Sequence, residues 1–130
     1  MMINKKYKNS DLTAKIIGAC MEVHKTLGNG FQEIIYQRAL VIEFKKIGLD
    51  FVREQEMVIQ YKKENIGTRR VDFFIEDKIM LEIKAINKLE DLHLAQAINY
   101  LEVYNLETGL LINFGGKSLE FKRLICKQRL

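Results

Sequence analysis

A chain of 130 residues with 48% hydrophobic side chains fits one domain spanning 1–130, with a core that needs neither disulfides nor a structural metal. Its 21 basic residues against 17 acidic ones leave a net charge of +4, a moderate excess that suits a polyanionic partner without requiring one. Cys20 and Cys126 lie far apart with no Cys-x-x-Cys spacing, which argues against a zinc site and a secreted disulfide framework and leaves two free, partly buried thiols.

The basic N-terminus, Met1 to Lys8, runs into no apolar signal-peptide segment, and no stretch approaches the ~20 consecutive apolar residues of a membrane span. A cytoplasmic location with no membrane partner is the resulting expectation. Ser10 or Asp11 is placed to cap a first helix, in which Leu12, Ile16, Ala19, Cys20, Val23 and Leu27 recur at helical spacing before Gly28-Asn29-Gly30. A second helix is expected over 31–47, closed by Gly48, with apolar residues around most of its circumference as in a central helix packed on several sides. Strands follow over 51–61, 68–75 and 79–85, then a loop over 86–90, a third helix over 91–106, and strands over 109–114 and 118–126 around Gly115-Gly116. The order ααβββαββ describes an α/β fold with a mixed sheet flanked by helices.

The second and third strands carry ionisable residues where buried strands are usually apolar. Glu82 and Lys84 project from one face of their strand, while Ile79, Leu81 and Ile83 project from the other toward a core. With Glu76-Asp77-Lys78 as a three-residue hairpin loop, Asp72 faces Glu82 across the hairpin, with Cβ atoms roughly 5 Å apart. Facing carboxylates repel unless a positive charge lies between them, and a divalent cation held by hard oxygen ligands meets that need. A solvated Glu82–Lys84 pair with Asp72 at a strand end is the plainer alternative, worth at most about 1 kcal/mol.

Glu33 falls within ~20° of Leu40 and Phe44 around the second helix, so its carboxylate emerges among apolar neighbours. An acid in the first helical turn, favoured by the helix dipole, explains it equally well. Tyr36, one turn on, suits a core aromatic with its hydroxyl at the edge. In the third helix His93, Gln96 and Tyr100 share a face, with Leu94, Ala97, Ile98 and Leu101 toward the core. His24 and His93 read as surface or packing histidines, because no second histidine stands at ligand spacing. Basic residues cluster at Lys5-Lys6-Lys8, Lys62-Lys63, Arg69-Arg70 and Lys117, Lys122, Arg123, Lys127 and Arg129. Arg69 and Arg70 directly precede Asp72 and are placed to deliver a phosphate backbone to the carboxylates.

Asp72 followed on the next strand by Glu82-Ile83-Lys84 resembles the signature of the PD-(D/E)XK nuclease superfamily, and Gln96-x-x-x-Tyr100 resembles the Gln-x-x-x-Tyr motif of its RecB-like branch. Upstream, His24-x-x-Leu27-Gly28-x-Gly30-Phe31-x-Glu33-x-x-Tyr36 is similar to the defining motif of the GxxExxY family, small proteins assigned to the same superfamily. Three motifs in one order make the resemblance more specific than any of them alone. It implies a restriction-endonuclease-like core in which Asp72 and Glu82, helped by the Ile83 carbonyl and by Glu33 from the preceding helix, bind Mg²⁺ or Mn²⁺. Lys84 would position or activate the attacking water, and Gln96 and Tyr100 would orient the site or the strand. Val71 stands where the superfamily has its naming proline, and Asn29 stands where the GxxExxY motif often has proline, a change expected to loosen the turn that aims Glu33.

The expected function is therefore metal-dependent hydrolysis of phosphodiester bonds in nucleic acid, DNA ahead of RNA. The alternative is a catalytically inactive nucleic-acid-binding or protein-interaction accessory domain that keeps the fold, and a homodimer or accessory partner remains open. All of Glu33, Asp72, Glu82 and Lys84 are present, which favours the enzyme.

Overall fold

The computed structural model describes residues 9–126; the expected basic clusters at Lys5-Lys6-Lys8 and at Lys127 and Arg129 lie outside them. Helix α1 (Ser10–Leu27) starts after Asn9, whose φ of 64° is left-handed, so Ser10 and Asp11 fall inside the first turn rather than at the cap. Ile16, Ala19, Cys20 and Val23 form its buried stripe, and Gly28 ends it at φ 76° with its N–H donated to the His24 carbonyl. Cys20 is a buried thiol whose pKa is pushed up by burial, while Cys126 is partly exposed.

Helix α2 (Glu33–Lys46) begins two residues later than expected because the intervening chain is committed elsewhere. The Tyr36 hydroxyl accepts the Phe31 N–H at 3.2 Å and donates to the Gly28 carbonyl at 2.6 Å, while its ring stacks on Phe114 at 4.6 Å. Asn29 donates to the Gly115 carbonyl at 3.4 Å, and a His24 ring nitrogen lies 3.0 Å from the Gly116 carbonyl. The turn before Glu33 is thus tied to the opposite loop by side chains, with no proline needed. The expectation of a helix packed on several sides does not hold. Tyr36, Gln37, Leu40 and Phe44 are buried on one face, whereas Ile42 is 61% exposed, because α1 and the sheet cover one side of α2.

Five strands, β1 (Phe51–Tyr61), β2 (Glu64–Ile75), β3 (Ile79–Lys84), β4 (Thr108–Asn113) and β5 (Glu120–Ile125), form one sheet in the order β1-β2-β3-β4-β5. Neighbours are antiparallel except β3 and β4, which run parallel with α3 (Asp91–Val103) as their crossover. β2 starts well before residue 68. Lys62 and Lys63, at φ 47° and 70°, make the two-residue turn that joins it to β1. The β2–β3 turn has Glu76 and Asp77 at φ 54° and 53°, closed by a Lys78 N–H to Ile75 carbonyl bond of 3.0 Å. Phe73 pairs with Leu81 and Ile75 with Ile79, the register expected from the three-residue loop.

The alternation of β3 divides two cores. Ile79, Leu81 and Ile83 join α1 and α2 on one face, and Met80 joins Leu89, Ala97, Leu101, Leu111 and Leu124 under α3 on the other. Helix α3 is capped reciprocally by Glu90 and His93, with the Glu90 N–H donated to His93 Nδ1 at 2.9 Å, which gives His93 a capping role. It stops at Val103 instead of Leu106, since Asn105 takes a left-handed φ of 54°.

The loop leading into α3 hangs on Asn113, which is fully buried. Its Oδ1 accepts the N–H groups of Ile86 and Gly115 at 2.9 and 3.0 Å, and its Nδ2 donates to the Ile86 carbonyl and to Glu120 Oε1, both at 2.8 Å. Glu120 Oε1 also accepts the Leu89 N–H at 3.1 Å. A Cβ on Gly115 would lie 2.1 Å from the Ile86 oxygen, so this crossing admits glycine alone. Asn113→Ala leaves several buried backbone groups unpaired and is expected to cost about 3 kcal/mol, read as a lower urea midpoint; an unchanged midpoint would show that the loop holds without it.

Candidate active site

The β2–β3 ladder stops at Phe73 and Leu81. Beyond that pair β3 has β4 on one side and an open edge on the other, and carboxylates bridge the gap. Asp72 Oδ2 accepts the Ile83 N–H at 2.8 Å, and Glu82 Oε1 lies 3.4 Å from the Asp72 N–H. β2 also changes its facing here. Phe73 and Ile75 pack under α1 and α2, while Val71 packs under α3; Glu54 and Asp72 drop out of the β1–β2 register, with Glu54 at φ 49°. The local twist brings Arg69 round to the α3 side.

Side chains reach the gap from both layers. From α2, Gln37 donates to Asp72 Oδ1 at 3.0 Å and accepts from Arg53 at 3.2 Å. From β2, Arg69 donates to Glu82 Oε2 at 2.7 Å, and its guanidinium carbon lies 4.3 Å from the centroid of the Tyr100 ring on α3. Tyr100 stacks on Tyr104 with centroids 6.4 Å apart, and the Tyr104 hydroxyl reaches the Met57 carbonyl at 3.5 Å. Glu82 is 3% exposed, which rules out a solvated Glu82–Lys84 pair.

The electrostatics follow from burying like charges together. Burial and then Asp72 push Glu82 up to about 7, against Arg69, the Asp72 amide and Lys84. Asp72 is raised by burial, opposed by the Ile83 amide, Arg69 and Lys84. Glu33, the first residue of α2, is raised by burial and then by Asp72, with Lys84 and Arg69 pulling the other way. Three carboxylates thus share two cationic side chains and remain short of positive charge.

The structure therefore groups Glu33, Asp72, Glu82, Lys84, Arg69 and Tyr100, with the Ile83 backbone between the strands. Gln96 is exposed one turn before Tyr100 and makes no hydrogen bond to the carboxylates; Arg70 is exposed opposite Glu56. Gln37, Arg53 and Tyr104 went unnoticed in the sequence. Gln37 and Tyr104 each lie four residues past a singled-out position, Glu33 and Tyr100, a spacing that puts them on the same helical faces. Arg53 carries no comparable signal.

Two facing carboxylates deficient in counter-charge suit a hard divalent cation with carbonyl and water oxygens completing its shell. Among the described residues, no three His, Cys, Asp or Glu side chains stand together as a ligand group, so carboxylates alone do not build a closed cage.

The PD-(D/E)XK nuclease superfamily model matches residues 10–124, a span that contains every element of the sheet's site. The chain belongs to the PD-(D/E)XK nuclease superfamily. Membership points to a nucleic-acid substrate, phosphodiester hydrolysis and a divalent metal, and the mixed five-stranded sheet flanked by helices is the restriction-endonuclease-like fold. A solved structure described as SSO0001 is similar at 15% identity with a TM-score of 0.48, over 92% of this chain and 80% of that one. No curated protein gives a significant match. Among the described residues, no helix is long and apolar enough to cross a membrane.

A carboxyl whose pKa is raised on folding binds its proton more tightly in the folded state, so its contribution is present at low pH and lost as pH rises through the folded value. Metal-free protein is therefore expected to lose stability between about pH 5 and 8, chiefly through Glu82, whose folded value is about 7. Glu82→Gln, which imitates the protonated acid, should flatten that profile in urea unfolding with EDTA present. A metal-free stability that climbs with pH over this range would contradict the charge-deficient site.

Proposed function

We propose that the protein is a nuclease that hydrolyses phosphodiester bonds in DNA with Mg²⁺ or Mn²⁺, as a cytoplasmic single-domain member of the GxxExxY family. The observation that carries this reading is the pair of half-buried Asp72 and buried Glu82 across the opened β2–β3 edge, both shifted toward the protonated form chiefly by burial. A bound cation would supply positive charge, polarise a phosphoryl oxygen and lower the pKa of water. Asp72, Glu82 and the Ile83 carbonyl would hold it, with Glu33 as the acid contributed by α2.

The remaining residues act on the strand and on the water. The Ile83 amide fixes one oxygen of Asp72 and Gln37 fixes the other, so the carboxylate plane is set before any ligand arrives. Lys84 lies on the Glu82 side of β3, and its charge reaches Glu33, Asp72 and Glu82. In this reading it holds the attacking water and offsets charge developing on the phosphate. Arg69 and Arg70 take the phosphate backbone, and Gln96 and Tyr100 line the approach on α3. The sign of the protein's charge agrees with a polyanionic substrate.

Mn²⁺ is expected to raise the melting temperature, since a ligand bound by the folded state stabilises it, and Asp72→Asn should remove most of that rise. Absence of divalent binding at millimolar concentration, in calorimetry and thermal shift alike, would leave the inactive accessory domain as the better reading.

Lys84→Ala separates enzyme from binder. Folding and Mn²⁺ binding should persist, while cleavage of single- or double-stranded substrates falls about 100-fold or more. Cleavage that survives in both Lys84→Ala and Glu82→Ala would have another source.

A further inference from the structure

Arg69 stands out because its side chain, 30% exposed, nonetheless buries a donor that finds no partner. One terminal nitrogen bonds Glu82 at 2.7 Å, the face of the guanidinium leans on Tyr100, and Nε is buried with no hydrogen-bond partner. A guanidinium carries five donors in a fixed fork, and a buried donor left unpaired costs free energy. Its position is not set by its own hydrogen bonding. What holds it there is charge: Glu82 is buried with its Oε1 3.4 Å from the Asp72 N–H, and Arg69 is the cation bonded to it at 2.7 Å.

We propose that Arg69 is a displaceable counter-cation, occupying Glu82 in the metal-free protein and giving up that carboxylate when a divalent ion enters. The inference rests on the metal reading above and specifies how the site is kept until loaded. Glu82 Oε2, the oxygen Arg69 covers, is an oxygen a cation between the two carboxylates would need. A divalent ion brings two charges where the guanidinium brings one, so the exchange makes good the deficit that a single guanidinium leaves. Tyr100 gives the released guanidinium a surface to remain on, because attraction to the ring face does not depend on Glu82. Arg69 then becomes free for a phosphate at the moment the site is filled, which couples loading of the ion to grip on the strand.

The test is calorimetric titration of Mn²⁺ into wild type, Arg69→Met and Arg69→Lys, with melting temperatures in EDTA and in Mn²⁺. Removing a cation that competes for a carboxylate should tighten Mn²⁺ binding about 10-fold or more in Arg69→Met, with Arg69→Lys near wild type. Arg69→Met should also melt lower than wild type in EDTA and gain more from Mn²⁺. If Arg69→Met proves too unstable to titrate, Arg69→Gln, which removes the charge but keeps polar atoms beside Glu82, should still tighten binding. Wild-type Mn²⁺ binding with equal or weaker affinity in the charge-removing variants overturns the role of Arg69 and leaves the carboxylate site standing. No Mn²⁺ binding in any variant overturns the metal reading and this inference with it.

Discussion

The opening of the β2–β3 ladder after Phe73 and Leu81 is the constraint on which the rest of the site depends. A strand edge inside a protein must find partners for its amides, and here carboxylate side chains supply them. That solution puts two like charges side by side out of water. Amides stabilise both, with Gln37 on Asp72 and Arg69 on Glu82, yet burial and then the neighbouring Asp72 still push Glu82 up to about 7. A fold selected for stability alone would close such a gap with apolar side chains. In the proposed reading, keeping it open gives a site where a cation would bind with a large electrostatic gain.

The surrounding elements make sense as devices for holding that gap. Tyr36, anchored on Phe114 and on the chain between α1 and α2, determines where α2 begins, and so where Glu33 and Gln37 stand. Asn113 and Glu120 fix the loop before α3, which sets the position of Tyr100 behind Arg69. Both anchors converge on residues 113–116, where Gly115 lets two backbones cross at a distance that no side chain permits. The chemistry on the β3 edge is thus positioned by the loop between β4 and β5, far from it in sequence. Within the PD-(D/E)XK nuclease superfamily, to which the chain belongs, these contacts explain how a short chain orients residues from α2, β2, β3 and α3.

Much of this was legible in the sequence because it follows from local periodicity. The element order, the register of the β2–β3 hairpin and the placement of Asp72 near Glu82 all come from strand alternation and one turn length. Other features depend on partners that no local pattern reveals. The Lys62-Lys63 turn lacks the Asn-Gly or Asp-Gly signal of a two-residue hairpin, so the first third of β2 is not legible in the sequence. Helix α2 looked apolar all round because Ile34, Ile35 and Ile42 are apolar, but whether a helix is covered is decided by its neighbours. Gln37 read as an ordinary polar residue, and its tie to Asp72 appears once α2 packs across β2. Arg69 was legible as a cation beside the site but not as one paired with Glu82, because that requires the change of facing at Asp72.

The central claim, that Asp72 and Glu82 form a cation site held by Arg69 until it is loaded, is tested most directly by anomalous diffraction from a crystal soaked in Mn²⁺. The expected result is an anomalous peak in contact with both carboxylates, with the Arg69 guanidinium withdrawn from Glu82 and still against Tyr100. A peak-free site in which Arg69 keeps its bond to Glu82 would contradict it.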